Sequence, residues 1–213
     1  MSVAKILYGI MVLGLIAPPC LAAEVATSLP ANASQAVPST VSGAAVVTAE
    51  RVKVHGVSLE GNLEGDSADR DVIVFLPPSY ARNPTKRYPV LYALHGYSIS
   101  NEQWLPEIKA PETIEKAFAA GTHEMIVVIA NAQTLHNGSM YSQSATTGFW
   151  EDFMTKDLIA YIDSHYRTLA NRASRGIAGH SMGGYGVVRI AMHHPELYSA
   201  FYAMSPCCLS MWR

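Results

Sequence analysis

"RGIAGHSMGGYGVVRIAMHH", residues 175–194, changes its hydrophobic rhythm halfway along. "RGIAGH" reads as a short buried strand, and "MGGYGVVRIAMHH" as a helix stopped by Pro195. Between them, Gly179-His180-Ser181-Met182-Gly183 fits the pattern G-x-S-x-G in the strand–turn–helix setting that gives the pattern meaning. A serine at so sharp a turn occupies a strained backbone conformation, so the residues two positions away on either side must be small. Gly179 and Gly183 satisfy this, and Gly184 and Gly186 let the helix approach the sheet. The turn lifts the Ser181 hydroxyl above the strand ends. It also aims the Met182 amide at the same space, where a tetrahedral oxyanion would form. The competing reading is a glycine-rich turn whose serine merely caps the helix. His180 is expected to point away from the serine as a core histidine.

Working outward, strand and helix patterns alternate. "RVKVHGVSLEG" (51–61), "DVIVFLP" (71–77), "YPVLYALHG" (88–96), "EMIVVIAN" (124–131) and "YSAFYAMSP" (198–206) read as strands. "APETIEKAFAAG" (110–121), with Pro111 near its start and Gly121 past its end, and "FWEDFMTKDLIAYIDSHYRT" (149–168) read as helices. This alternation predicts one α/β domain with a mostly parallel sheet and helices on both faces.

A second feature supports the serine turn. The strand "YPVLYAL" ends in His95-Gly96-Tyr97, where a backbone amide could complete an oxyanion hole. The Tyr97 amide is the expected donor, with Gly96 as the alternative, and only a small residue at 96 is expected to let the backbone turn inward. "ISNEQW" (99–104) and the long segment 131–150 are expected to form loops lining the mouth. Trp104, Tyr141 and Trp150 could hold an apolar or sugar-like substrate, or could be packing aromatics. His136 is the local histidine placed to reach the mouth, and hence a candidate base.

The 213 residues carry a net charge of −2 and are 49% hydrophobic. There is no basic excess to neutralise phosphates, which argues against a nucleic-acid partner. Neither metal-ligand spacing nor a cofactor motif is present. Residues 1–23 read as an export signal: Lys5, the apolar "ILYGIMVLGLIA", then small residues for cleavage. No later segment is long enough to span a membrane. The expected location is the periplasm or the exterior. Residues 24–48, rich in Ala, Ser, Thr and Pro, read as a flexible linker, leaving 49–213 as the domain. With the signal removed, Cys207 and Cys208 remain, read as two small buried hydrophobes in preference to a strained vicinal disulfide.

"VFLPPSY", "YPVLYALHG", "MIVVIAN", "WEDF", "DLIAYIDSHYRT", "AGHSMGGYG" and "YAMSPCC" together resemble the esterase D family of α/β-hydrolases, from about residue 50 to the end and in the family's order. The family includes S-formylglutathione hydrolases, feruloyl and other carbohydrate esterases, enterochelin esterases and mycolyltransferases. The resemblance implies an α/β-hydrolase fold, Ser181 as acyl-enzyme nucleophile, and an oxyanion hole from Met182 and the loop after Leu94. It needs no cofactor, and with export it implies a small-molecule or carbohydrate ester as substrate.

A serine nucleophile requires a base and an orienting carboxylate, in the order Ser, Asp or Glu, His for this fold. After Ser181 the chain holds no Asp, and His193 and His194 precede Glu196. His193 lies about 18 Å along the helix from the serine at about 1.5 Å per residue, and the pair reads as an exposed helix end. The triad Asp and His are therefore expected to be absent from this chain. The resemblance implies a C-terminal truncation, with "YSAFYAMSP" left as an apolar sheet edge. The alternatives are an acyltransferase of the same fold or a non-catalytic remnant.

Overall fold

The structure, a computed structural model, describes residues 46–209. The segment read as an export signal, which includes Cys20, and most of the segment read as a linker lie outside the described residues.

Among the described residues, six strands form one sheet in the order β1-β2-β4-β3-β7-β8. They are β1 (Thr48–His55), β2 (Asp69–Leu76), β3 (Val90–Leu94), β4 (Ile126–Ala130), β7 (Arg175–His180) and β8 (Ala200–Met204). β4, β3, β7 and β8 run parallel, whereas β1 and β2 add on antiparallel. A small ribbon, β5 (Gln143–Ser144) and β6 (Gly148–Phe149), lies within the segment expected to be a mouth loop.

The apolar runs of the central strands are explained by helices on both faces. Along β2, Val72 and Val74 face one core, while Ile73 and Phe75 face the other. The first core is closed by α3 and by α4 (Met182–His193). α3 is one continuous helix, 150–165, built from Trp150–Asp152, a π-turn at Phe153–Asp157, and Leu158–His165. Phe153, Leu158 and Ile162 are fully buried along it, as their spacing predicts. The Thr155 hydroxyl donates to the Glu151 carbonyl at 2.7 Å. Such a side-chain bond to the preceding turn competes with the regular ladder, which fits the local π geometry.

The second core is covered by α1 (Asn101–Ile108) and α2 (Ala110–Ala119). α1 corrects the reading of "ISNEQW" as a loop. Ser100 caps it in a full capping box with Gln103, a signal present in the sequence as S-x-x-Q. "RVKVHGVSLEG" is also only half strand, because after His55 the chain turns through a short 3-10 segment, Val57–Leu59. Val47 is buried and Thr48 pairs with Leu76, so the fold is engaged from the last residues assigned to the linker. β8 forms one edge of the sheet, with Phe201 exposed.

Candidate active site

Ser181 joins β7 to α4 with φ 55° and ψ −114°. For a residue bearing a Cβ, such a conformation costs about 1–3 kcal/mol and persists only when its surroundings enforce it. Here they do. The Ser181 N–H donates to the Met204 carbonyl at 3.0 Å, and its carbonyl accepts from Tyr185 N–H at 3.0 Å and Cys207 N–H at 3.2 Å. A Cβ at Gly183 would collide with the Leu94 carbonyl, and one at Gly179 with the Gly183 backbone. The two glycines thus let α4 start directly against the end of β3. The Ser181 side chain makes no capping hydrogen bond, so the helix-cap reading falls away.

The loop after β3 is held from behind. His95 is fully buried, with Nδ1 2.8 Å from the Gly96 carbonyl and Nε2 2.8 Å from the Ala132 N–H. An N–H pointing at Nε2 requires a lone pair there, so the proton sits on Nδ1 and is donated to Gly96. Burial is the main reason its pKa is lowered to about 4, with the charge of Arg70 adding to it, so the ring is neutral near neutral pH. One residue earlier, the Tyr141 hydroxyl donates to the His95 carbonyl at 3.1 Å. In a trans peptide the N–H points opposite to the C=O. Anchoring the His95 and Gly96 carbonyls on the buried side therefore turns the Gly96 and Tyr97 amides the other way. Among the described residues, the amides of Tyr97 and Met182 donate to no protein acceptor.

Ser181 and the Gly96–Tyr97 loop border a cavity of about 390 Å³ whose walls also include Gln103, Trp104, Glu107 and His180; Met182 follows Ser181 directly but is not itself in the wall. Trp104, which is buried, and Ile99, which is half-buried, give it apolar walls, and Ser98, Gln103, Glu107, His180 and Ser181 give it polar ones. The arrangement offers a hydroxyl on a strained turn, beside amides with unused hydrogen-bonding capacity. It can present an oxygen nucleophile to an electrophilic carbon and stabilise negative charge on the attached oxygen.

Several sequence expectations change. Tyr141 and Trp150 are not at the mouth, since both rings are fully buried. Tyr141 packs under α4 near Gly186, and Trp150 stacks with Arg70 and donates from Nε1 to the Thr147 carbonyl at 2.6 Å. Trp104 does reach the cavity, though mostly buried on α1. His136 is exposed but lies outside the cavity wall. Its N–H donates to Glu64 at 2.6 Å, its ring Nε2 lies 3.7 Å from Glu64, and its carbonyl accepts the Tyr97 hydroxyl at 2.7 Å. The segment 131–142 therefore braces the Tyr97 loop, and apolar or aromatic character alone does not tell a brace from a lining. His180 is exposed in the cavity wall, not a core residue. A Cβ at Gly96 would meet only ordinary contacts, the nearest being Ser181 Cβ at 3.7 Å, so space does not demand glycine there. Cys207 is half-buried against the edge of the first core, whereas Cys208 is exposed, so the pair is not two buried hydrophobes.

His193 and His194 are not a simple helix end either. Both converge on the buried carboxylate of Glu151, at 2.8 Å and 3.0 Å, and Arg189 reaches the same group at 2.6 Å. Burial pushes the Glu151 pKa up, but the hydrogen bonds from His193, Arg189 and His194 outweigh it and hold the carboxyl below its ordinary value. Nothing in the sequence singles out Glu151 within the helix read over 149–168, because its partners lie about forty residues away, beyond the reach of any local pattern.

A family model described as "Putative esterase" matches residues 67–213. An endo-1,4-beta-xylanase/feruloyl esterase of Xylanibacter ruminicola is 29% identical over 137 residues, covering 62% of this chain and 19% of that protein. A solved ferulic acid esterase superposes with a TM-score of 0.67 at 30% identity, covering 76% of this chain and 58% of its own. The ferulic acid esterase of the anaerobic fungus Anaeromyces mucronatus superposes at 0.61 with 22% identity, covering 78% and 62% respectively. The chain thus spans about a fifth of the curated relative and less than two thirds of these structures. The shared architecture is the α/β-hydrolase fold.

Proposed function

Because the chain belongs to the esterase family, we propose that it serves a serine carboxylic-ester hydrolase in which Ser181 is the nucleophile. The observation that carries this reading is the strained Ser181 backbone beside the unengaged Met182 and Tyr97 amides. The Ser181 oxygen attacks the ester carbonyl carbon, and the two amides receive the developing oxyanion. Collapse expels the alcohol and leaves an acyl-enzyme, which water hydrolyses.

The nucleophile must give up its proton to a base held by a carboxylate. Among the described residues His180 alone of the histidines lines the cavity, and it has no carboxylate partner. His95 has both nitrogens engaged, and His193 and His194 are tied to Glu151 at the far end of α4. The reading therefore gives these residues the nucleophile and the oxyanion donors, and no base.

The substrate class we propose is a carbohydrate-linked or other extracytoplasmic ester, in a periplasmic or secreted setting. It is supported by the export-signal reading of residues 1–23 and by relatives named as feruloyl esterases. The half-exposed Tyr97 ring and the polar Gln103 and Glu107 suit a hydroxylated aromatic or sugar better than a bare alkyl chain.

A fluorophosphonate probe followed by peptide mapping tests the nucleophile. With no base among the described residues the reaction is slow, so label is expected to accumulate only over long incubation. It should appear on Ser181 of the folded protein ahead of other serines, because the oxyanion donors remain, and be lost on heat denaturation and in Ser181→Ala. Label spread evenly over other serines, or equal before and after denaturation, overturns the assignment.

A further inference from the structure

Beside the serine turn lies a pair of groups that ester chemistry does not use. We propose that Cys207 and Cys208 form a redox-reactive site that closes to a vicinal disulfide when a small disulfide oxidant such as oxidised glutathione is present.

The two sulfur atoms stand 3.0 Å apart, about 1 Å beyond the covalent S–S distance of about 2.0 Å. The backbone that brings them together is unusual. Ser205 and Cys208 both have positive φ, 42° and 61°, at residues that carry side chains. Such outliers persist where surrounding contacts enforce them, and here the segment is stitched to the serine turn. The Cys207 N–H donates to the Ser181 carbonyl, and Pro206 packs so closely on α4 that a Cβ at Gly184 would lie 3.0 Å from its Cα.

The two thiols are chemically unequal. Burial, reinforced by the neighbouring Cys208 sulfur, pushes the Cys207 pKa up to about 11, while the nearby Ser181 hydroxyl acts in the opposite direction. Cys208 is exposed. Exchange therefore begins at Cys208, whose thiolate attacks the oxidant's S–S bond and releases one thiol, leaving a mixed disulfide. The Cys207 sulfur then attacks the Cys208 sulfur and releases the second thiol. Two S–H bonds and the oxidant's S–S bond are broken, and one protein S–S bond forms. The two electrons and two protons end on the two released thiols. An exposed, tightly turned disulfide of this kind is readily reduced again, so the site is reversible. It exists whether or not Ser181 is a nucleophile.

The test equilibrates the full chain in glutathione redox buffers, quenches with acid, alkylates, and maps the peptides by mass. Under oxidising buffer, the peptide carrying both cysteines should be lighter by two hydrogens and take no alkyl group. Cys207→Ser should stop as a glutathione adduct on Cys208, and Cys208→Ser should react about tenfold more slowly or less. In labelled protein the Ser181 amide resonance should shift on oxidation, and stay fixed in the double serine variant. Full alkylation of both thiols at every redox ratio, equal rates in the two single variants, or linkage to Cys20 or a second copy would each overturn the proposal.

Discussion

The imidazole of His95 gives its Nδ1 proton to the carbonyl of Gly96, at 2.8 Å. Because the Ala132 amide occupies Nε2, a second proton cannot be added without breaking a buried hydrogen bond. Stability should follow. The folded pKa, about 4, lies below the ordinary 6.5, so on acidification the unfolded chain takes up the proton first. Stability from this group is complete above about pH 6.5 and falls as pH drops towards 4. The total is roughly 3 kcal/mol, since each pKa unit corresponds to about 1.4 kcal/mol. Urea unfolding at several pH values should show this slope, and His95→Gln should flatten it. An unchanged slope in the variant would remove His95 from the account.

Tyr141 offers a sharper contrast between brace and lining. Tyr141→Phe deletes only the hydroxyl that the His95 carbonyl accepts and leaves that carbonyl unpaired in the core. A loss of about 1–2 kcal/mol is expected in thermal or urea unfolding. A tyrosine at an open mouth would lose almost nothing, so a stability equal to the parent's would restore the substrate-lining reading.

The contrast also marks how far the sequence could be read. β7, the serine turn and α4 were legible because their signals are local: a period change, two glycines and a serine within twenty residues. Alternation of strands and helices pointed to a mostly parallel α/β sheet, but the order of strands within it was not legible there. What stayed hidden depends on distance along the chain. Tyr141 and Trp150 look alike whether they line a cavity or fill a core, and the Glu151 cluster joins residues whose neighbours in sequence say nothing of each other. α1 is different, because its signal is local: Ser100 and Gln103 form a capping box within a polar stretch whose composition otherwise resembles a loop.

Strain at the serine turn should be visible as recovered stability. At φ 55°, replacing Ser181 by glycine removes the Cβ penalty, and Ser181→Gly should raise stability by about 1 kcal/mol while abolishing any labelling by fluorophosphonate. Ser181→Ala keeps the Cβ and should leave stability near the parent's. Gly183→Ala goes the other way, forcing a methyl into the Leu94 carbonyl, and should cost more than about 3 kcal/mol. If both Ser181 variants unfold at the same denaturant concentration, the turn is not strained.

Esterase activity of the 213-residue chain by itself should be small. No described histidine combines access to Ser181 with a carboxylate partner. Turnover of short p-nitrophenyl esters should therefore stay near the uncatalysed rate. Robust turnover that disappears in Ser181→Ala would call for a base, and His180 would be the first to replace.

Glu151 provides the strictest test of the packing between α3 and α4. Its buried carboxylate takes charge-assisted hydrogen bonds from Arg189, His193 and His194, the first at 2.6 Å. Glu151→Gln retains the shape but removes the charge, so Arg189 keeps its positive charge with no counter-ion in a half-buried site. Breaking a buried pair from one side costs about 3–5 kcal/mol, and partial exposure of Arg189 and His193 should place the loss at or below the lower end. The pH dependence has a definite sign. A carboxyl held below its ordinary pKa contributes above about pH 4.5, and the contribution disappears as pH falls through its folded value. The gap between parent and Glu151→Gln should therefore be widest near neutral pH and close in acid. A gap that grows in acid would mean the histidines, not the carboxylate, govern this junction.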